Sequence, residues 1–343
     1  MSRRAVTAVT LVMAFALGGW SVSTQDRPQG APAVAPGQDR NQPSPGRGRG
    51  GAPPYVSKVT MPQMEEWMAK YSNAGRWGKD DERGTLNLIT AAKRLQAAKL
   101  VKTGEAISMA RPIVARPGST DPHPTQVTRR GGVESAYQTQ GDWLFERQEM
   151  EFHGLVLTHY DALCHISWRG KLYNDFLRSD VVSDKDGCSH LNGETSKQGI
   201  VTRGLYIELI GTHVTPKDLE TWEKKTGLKI GSGDALILKT KERGSDDAKG
   251  TGWDMEMMPF LKARDVAIIG HDGGQDGATI PGQGLPLHAM TVVGLGMPLI
   301  DHMNLDDLSR AVEQSHRYEF MLVVEPLPIK YSSGSAVNPL AIF

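Results

Sequence analysis

The chain has 343 residues, and its 39 Lys plus Arg balance 39 Asp plus Glu, so the formal net charge is zero. Hydrophobic residues at 39% and charged residues at 23% are ordinary globular usage, and a neutral chain gives no footing for nucleic acid or an acidic membrane surface, which favour a basic protein. Two cysteines exclude a disulfide-stapled miniature scaffold and a Cys-rich zinc module, and no apolar run reaches the roughly 20 residues that span a bilayer.

Ser2-Arg3-Arg4 precedes the apolar stretch Ala5 to Gly18. A positive start before a short apolar run is the pattern of an export signal, so residues 1–24 read as a signal and the location as periplasmic or secreted. Residues 26 to 54 hold 7 Pro and 6 Gly. Such a segment buries too little apolar surface to offset its ordering entropy, and residues 25–54 read as a flexible linker. A single folded domain is expected over 55–343.

Within that body, Met64, Trp67, Met68 and Tyr71 recur at helical spacing and predict an amphipathic helix over 61–71. Thr90 caps a second predicted helix over 90–101. The polar stretch from Gly118 to Asp142 is long for a connection in a compact domain and reads as a lid over a site. Strands are expected at 201–210 and 234–240. Between them, Thr215, Pro216 and Gly227 mark the ends of a helix over 215–226. A short strand at 266–270, a helix at 287–295, an extended segment at 298–302, a helix at 305–314 and a strand at 319–327 complete the pattern. The class is α/β. Strands and helices do not alternate cleanly enough to predict an all-parallel sheet.

The chemistry concentrates in Thr158-His159-Tyr160-Asp161-Ala162-Leu163-Cys164-His165. On a strand, His159 and Asp161 share a face, about 6.6 Å apart along the chain. An imidazole nitrogen beside a carboxylate suits zinc or manganese. A half-buried strand whose His and Asp bond only each other has the same spacing. His165 follows a possible turn, where it could serve as a third ligand or as a proton carrier. His271-Asp272-Gly273-Gly274 follows a strand end and is either a site or a glycine-rich turn. Cys164 reads as a small buried hydrophobe rather than as a disulfide partner for Cys188. No Gly-x-Ser-x-Gly elbow is present for a serine hydrolase.

The segment 158–165 resembles the T-H-x-D-x-P-x-H motif of the cyclase family, which includes bacterial kynurenine formamidases and isatin hydrolases. Arg76-Trp77-Gly78-Lys79-Asp80-Asp81, Gly84-Thr85-Leu86-Asn87, His153-Gly154, Gly233-Asp234, Pro286-Leu287-His288 and Ser335-Ala336-Val337-Asn338-Pro339 extend the resemblance over about 76–343. It implies a swivelling β/β/α-type domain with a mixed sheet, assembled as a homodimer or homotetramer. It also implies metal-dependent hydrolysis of an amide-type C–N bond in a small-molecule substrate, with an arylformamide such as N-formylkynurenine foremost. His159, Asp161 and His288 would hold the metal, with Asp301 standing where the family has Glu, and His165 would be the general acid/base. Trp77, Asp80, Asp81, Asn87, His153 and His271 would contact substrate, and Trp77, Tyr160 and Trp168 could wall an aromatic pocket.

Two departures bear on the metal. Leu155 stands where the formamidase pattern has another His, and Leu163 replaces the motif's Pro. His153 is near, but six strand residues span about 20 Å, so it can reach the site only if the chain turns. One zinc or manganese ion is therefore expected rather than two. Lactam or lactone hydrolysis, the reverse cyclisation, and a non-catalytic binding protein on the same fold remain the alternatives.

Overall fold

A computed structural model describes residues 55–114, 125–131, 144–153, 156–245 and 251–343. The expected signal, the whole of the linker, and Leu155 lie outside these residues. The described body falls within one compact unit, Gly50–Phe343.

Its centre is a curled, mixed nine-stranded sheet. In spatial order the strands are Ala106–Ser108, Leu340–Ile342, Glu319–Val324, Ile200–Glu208, Ala235–Lys239, Ile268–His271, Leu299–Asp301, His159–Asp161 and Gly334–Ala336. The four strands from Ile200 to Asp301 run parallel, and the remaining pairings are antiparallel. Each parallel step is bridged by helical chain: Pro216–Thr226, then Met257–Arg264, then the turns from Pro286 to Leu295. These crossovers supply the long connections that parallel pairing needs.

Side-chain alternation divides the core in two. In Ala235–Lys239, Leu236 and Leu238 face the crossover helices, while Ala235 and Ile237 face the other side with Ile300, Leu308 and Val312. A strand buried on both faces reads as a continuous apolar run, which is why ALIL carries no period-2 signal.

The local signals act as their chemistry requires. Thr60 and Thr90 accept from the backbone N–H groups of Gln63 and Lys93 at the starts of Met61–Lys70 and Ala91–Ala98. Thr215 and Asp218 form a capping box, and Gly227 ends that helix at φ 73°. Residues 286–295 are helical as expected, but Ala289–Leu295 is a π-helix, wider than the 3.6-residue period can signal. The expected lid over 118–142 falls mostly on 115–124 and 132–143, outside the described residues; of its described part, Gln126–Gly131 pairs antiparallel with Leu144–Glu149. Among the described residues no helix is long and apolar enough to cross a membrane.

Candidate metal centre

His159–Asp161 is an inner strand of the sheet. Asp301 lies opposite His159 on one side, and Gly334 lies opposite Asp161 on the other. Residues directly opposite in an antiparallel pair share a face. His159, Asp161 and Asp301 are therefore gathered on one side, while Tyr160 turns to the other core and shares a hydrogen bond with Ser196. Tyr160 is thus no pocket wall.

The centre is Asp161, only 1% exposed, with neither carboxylate oxygen hydrogen-bonded. Four imidazoles surround it. The Nε2 atoms of His153, His159, His288 and His165 lie 3.2, 3.5, 3.5 and 4.0 Å from its oxygens. They are close enough to interact but misdirected for hydrogen bonds. His288 Nε2 is also 3.5 Å from Asp301. Two trios result, His159–Asp161–Asp301 and His153–Asp161–His165, each with ligand atoms within 4.8 Å of one another.

The supporting shell fixes which ring nitrogen is free. His159 Nδ1 donates to the Leu157 carbonyl at 2.8 Å, and His288 Nδ1 bonds the Asp276 carboxylate. Asp276 also accepts from the Leu287 N–H at 2.6 Å. Each contact leaves an Nε2 free on the Asp161 side, the arrangement by which metal-binding histidines are oriented. Gln275 Nε2 donates to one Asp301 oxygen at 2.7 Å, and Trp253 fixes the amide by donating to Gln275 Oε1 at 2.9 Å.

The electrostatics follow from crowding. Burial alone would raise the Asp161 pKa, but the imidazoles of His165, His153, His288 and His159 together hold it well below the usual carboxylate range. Burial outweighs Asp161 at His165 and, with the neighbouring imidazoles, brings it to about 4. His288 goes the other way, since Asp161, Asp276 and Asp301 overcome its burial. A buried carboxylate with no hydrogen bond, facing oriented imidazole nitrogens, fits a divalent cation.

The sequence left His153 apart from the metal ligands, but the chain turns at Phe152–His153. Its ring stacks on His165 with centroids 3.9 Å apart, so the 20 Å strand separation does not arise. His271 is fully buried, with Nδ1 bonded to the Gly274 carbonyl and Nε2 to Thr240. Burial makes it part of the strand-end scaffold and not a substrate contact. Asp81 accepts from the N–H groups of Arg83 and Gly84, from Tyr173 and from Asn87, so Asp81 and Asn87 build a turn. Asp80 is exposed beside Lys79, and Trp77 lies under the Arg76 guanidinium. Trp168 packs at the margin of the crossover-helix core. Asp276 and Gln275 were missed, although they directly follow the singled-out His271–Gly274. Cys164 and Cys188 form a disulfide, Cα atoms 6.4 Å apart, which corrects the reading of Cys164 as a free buried thiol.

Residues 107–275 match the family described as Putative cyclase. Among solved structures, one described as a novel cyclase is 26% identical, covers 80% of this chain and 99% of its own, and superposes with a TM-score of 0.70. An isatin hydrolase bound to the product analogue thioisatinate shares the fold at 18% identity, covering 74% and 99%, with a TM-score of 0.50. No functionally curated protein matches by sequence. The motif 158–165 lies inside the matched region and its residues converge on Asp161, so over residues 107–275 the chain is similar to this cyclase family.

Proposed function

We propose that the protein is a metal-dependent hydrolase of an amide-type C–N bond, with an arylformamide as the leading substrate. The observation that carries the reading is Asp161, buried without a hydrogen bond among the nitrogens of His153, His159, His165 and His288. A zinc or manganese ion would be held by His159, Asp161, Asp301 and His288, and would supply Lewis acidity toward the scissile carbonyl. His165, kept neutral at pH 7 by its depressed pKa, would accept a proton from the attacking water and return it to the leaving nitrogen. His153, stacked on His165, restricts the ring that must carry that proton.

A lactam is the second candidate class, favoured by the fold shared with an isatin hydrolase, whose namesake substrate is a cyclic amide. The Cys164–Cys188 disulfide supports an oxidising compartment and hence export.

The test is elemental analysis of the purified protein beside His159→Ala. The expected result is one or two equivalents of zinc or manganese, lost in the variant, with hydrolysis of a formamide, lactam or lactone panel lost in parallel. A wild type that takes up no metal after incubation with both ions would overturn the reading.

A further inference from the structure

A cavity of about 980 Å³ opens beside the metal centre. Its walls come from the two ends of the sheet order: Ser108 of the first strand, and Ser335 and Ala336 of the last. The loop that follows Glu319–Val324 contributes Leu327 and Ile329, and Phe152 forms another wall. Three of its aliphatic side chains are unusually open: Ile113 at 46%, Leu327 at 54% and Ile329 at 45%. Single exposed hydrophobes need no explanation, but several around one hollow mark a place where an apolar body binds.

The wall also carries Arg111, Gln148, Glu149 and Glu325, but its hydroxyl groups are already bonded. Thr158 Oγ1 accepts from the Arg111 N–H and donates to the His302 carbonyl. Ser335 Oγ accepts from the Leu327 N–H, and Ser108 Oγ donates to Asn338. What these residues present to the hollow is therefore chiefly hydrocarbon.

The cavity adjoins the centre through lining residues that neighbour its histidines. Thr158 directly precedes His159, Ala336 lies opposite His159 across the strand pair, and the Phe152 ring is 4.4 Å from the His153 ring. Its size then decides what it suits. A cavity of about 150 Å³ holds a benzene ring, and drug-sized ligands occupy about 300–1,000 Å³. An arylformamide alone would leave most of this volume to water.

We propose that the cavity is the specificity subsite of the same centre, and that its ligand is an amide whose non-reacting part is a bulky hydrocarbon: a long acyl chain or a fused-ring system. The inference rests on the proposed hydrolase for the bond that is cleaved, but not for occupancy of the cavity.

The test is titration of the full-length protein with the fluorescent probe 8-anilinonaphthalene-1-sulfonate, followed by displacement with formanilide and with octanoylanilide. The expected result is one saturable site, with octanoylanilide displacing the probe at a concentration at least tenfold below formanilide. Leu327→Asp with Ile329→Asp, on exposed positions and checked by circular dichroism, should weaken the probe at least tenfold. Ile113→Asp should do the same by an independent change. Asp161→Asn should leave probe binding intact, which separates this proposal from the metal reading. Equal displacement by the two anilides, or unchanged binding in both variants, would refute the proposal. So would conversion of an oligomer to a monomer by Leu327→Asp with Ile329→Asp, since the hollow would then be an interface between copies.

Discussion

Asp161→Asn separates two physical accounts of one buried carboxylate. In the first, Asp161 is a counter-ion to His288, whose imidazolium Asp161, Asp276 and Asp301 favour. Removing one partner of a buried pair costs about 3–5 kcal/mol of folding stability, and no metal enters. In the second, Asp161 is the ligand common to both trios. Site affinities of about 10–16 kcal/mol spread over four ligands give about 3 kcal/mol each, or roughly a hundredfold in Kd when the anionic oxygen becomes an amide. The assays are zinc affinity by competition with a chromophoric chelator, and urea unfolding with and without EDTA. With free zinc a hundredfold above its Kd, the ion stabilises the wild type by about 2.7 kcal/mol. EDTA should remove that increment from the wild type and only about 0.4 kcal/mol from Asp161→Asn. The ligand account fails if the variant binds zinc like the wild type, or if the wild type ignores EDTA while the variant loses 3–5 kcal/mol.

Four further outcomes follow from named contacts. Asp276→Asn weakens the group that orients His288, and zinc affinity should fall about 10- to 100-fold. Gly334→Ala would place a methyl group 2.1 Å from the Tyr160 carbonyl and 3.2 Å from His153 Nε2. Urea unfolding should then show a loss of about 1–3 kcal/mol, and chelator competition should show weaker zinc binding. His302, at φ 56°, has its pKa brought to about 4, chiefly by burial. The unfolded chain therefore binds that proton more readily, and stability is lost as pH falls from 6.5 towards 4, by at most about 2 kcal/mol at pH 5. His302→Asn, which tolerates that backbone, should flatten this part of the stability–pH curve of the metal-free protein. Replacing Cys164 and Cys188 together by Ala frees a loop with sequence separation 24, and unfolding stability should fall by about 3.5 kcal/mol on the loop-entropy account.

What the sequence disclosed was local. His159 and Asp161 could be placed on one face because strand alternation needs only two intervening bonds of chain, and the helix starts at Thr60, Thr90 and Thr215 because caps act within three residues. Asp301 and His288 were reached through resemblance, since no periodicity connects residues more than a hundred positions away. His153 illustrates the limit. Its place depends on a reversal at Phe152–His153, and a strand projection there gives the wrong answer by most of the length of the strand. Cys164 and Cys188 depend likewise on a 6.4 Å approach of Cα atoms that only the folded chain defines. Asp81 and Asn87, named through the resemblance, also serve the turn around Gly84, as Asp and Asn in a Gly-rich turn do.

The strand that carries the centre is also one of the most constrained in the fold. It is paired on both sides, and Tyr160 is anchored in the opposite core. His159 and His288 are aimed by hydrogen bonds that do not involve Asp161, and Asp301 is held by Gln275. Asp161 receives no such bond, so its burial is an uncompensated cost of several kcal/mol unless the facing groups supply positive charge. Protonated imidazole can supply part of it, yet His165 resists protonation down to about pH 4. His288, whose charged form the carboxylates favour, supplies one positive charge without a metal; a fold that orients its imidazoles independently of the carboxylate suits an external cation in its place. The ligands are then positioned before the ion arrives, so little ordering entropy opposes binding, and affinity should depend on the orienting contacts of Leu157, Asp276 and Gln275 as well as on the ligands themselves.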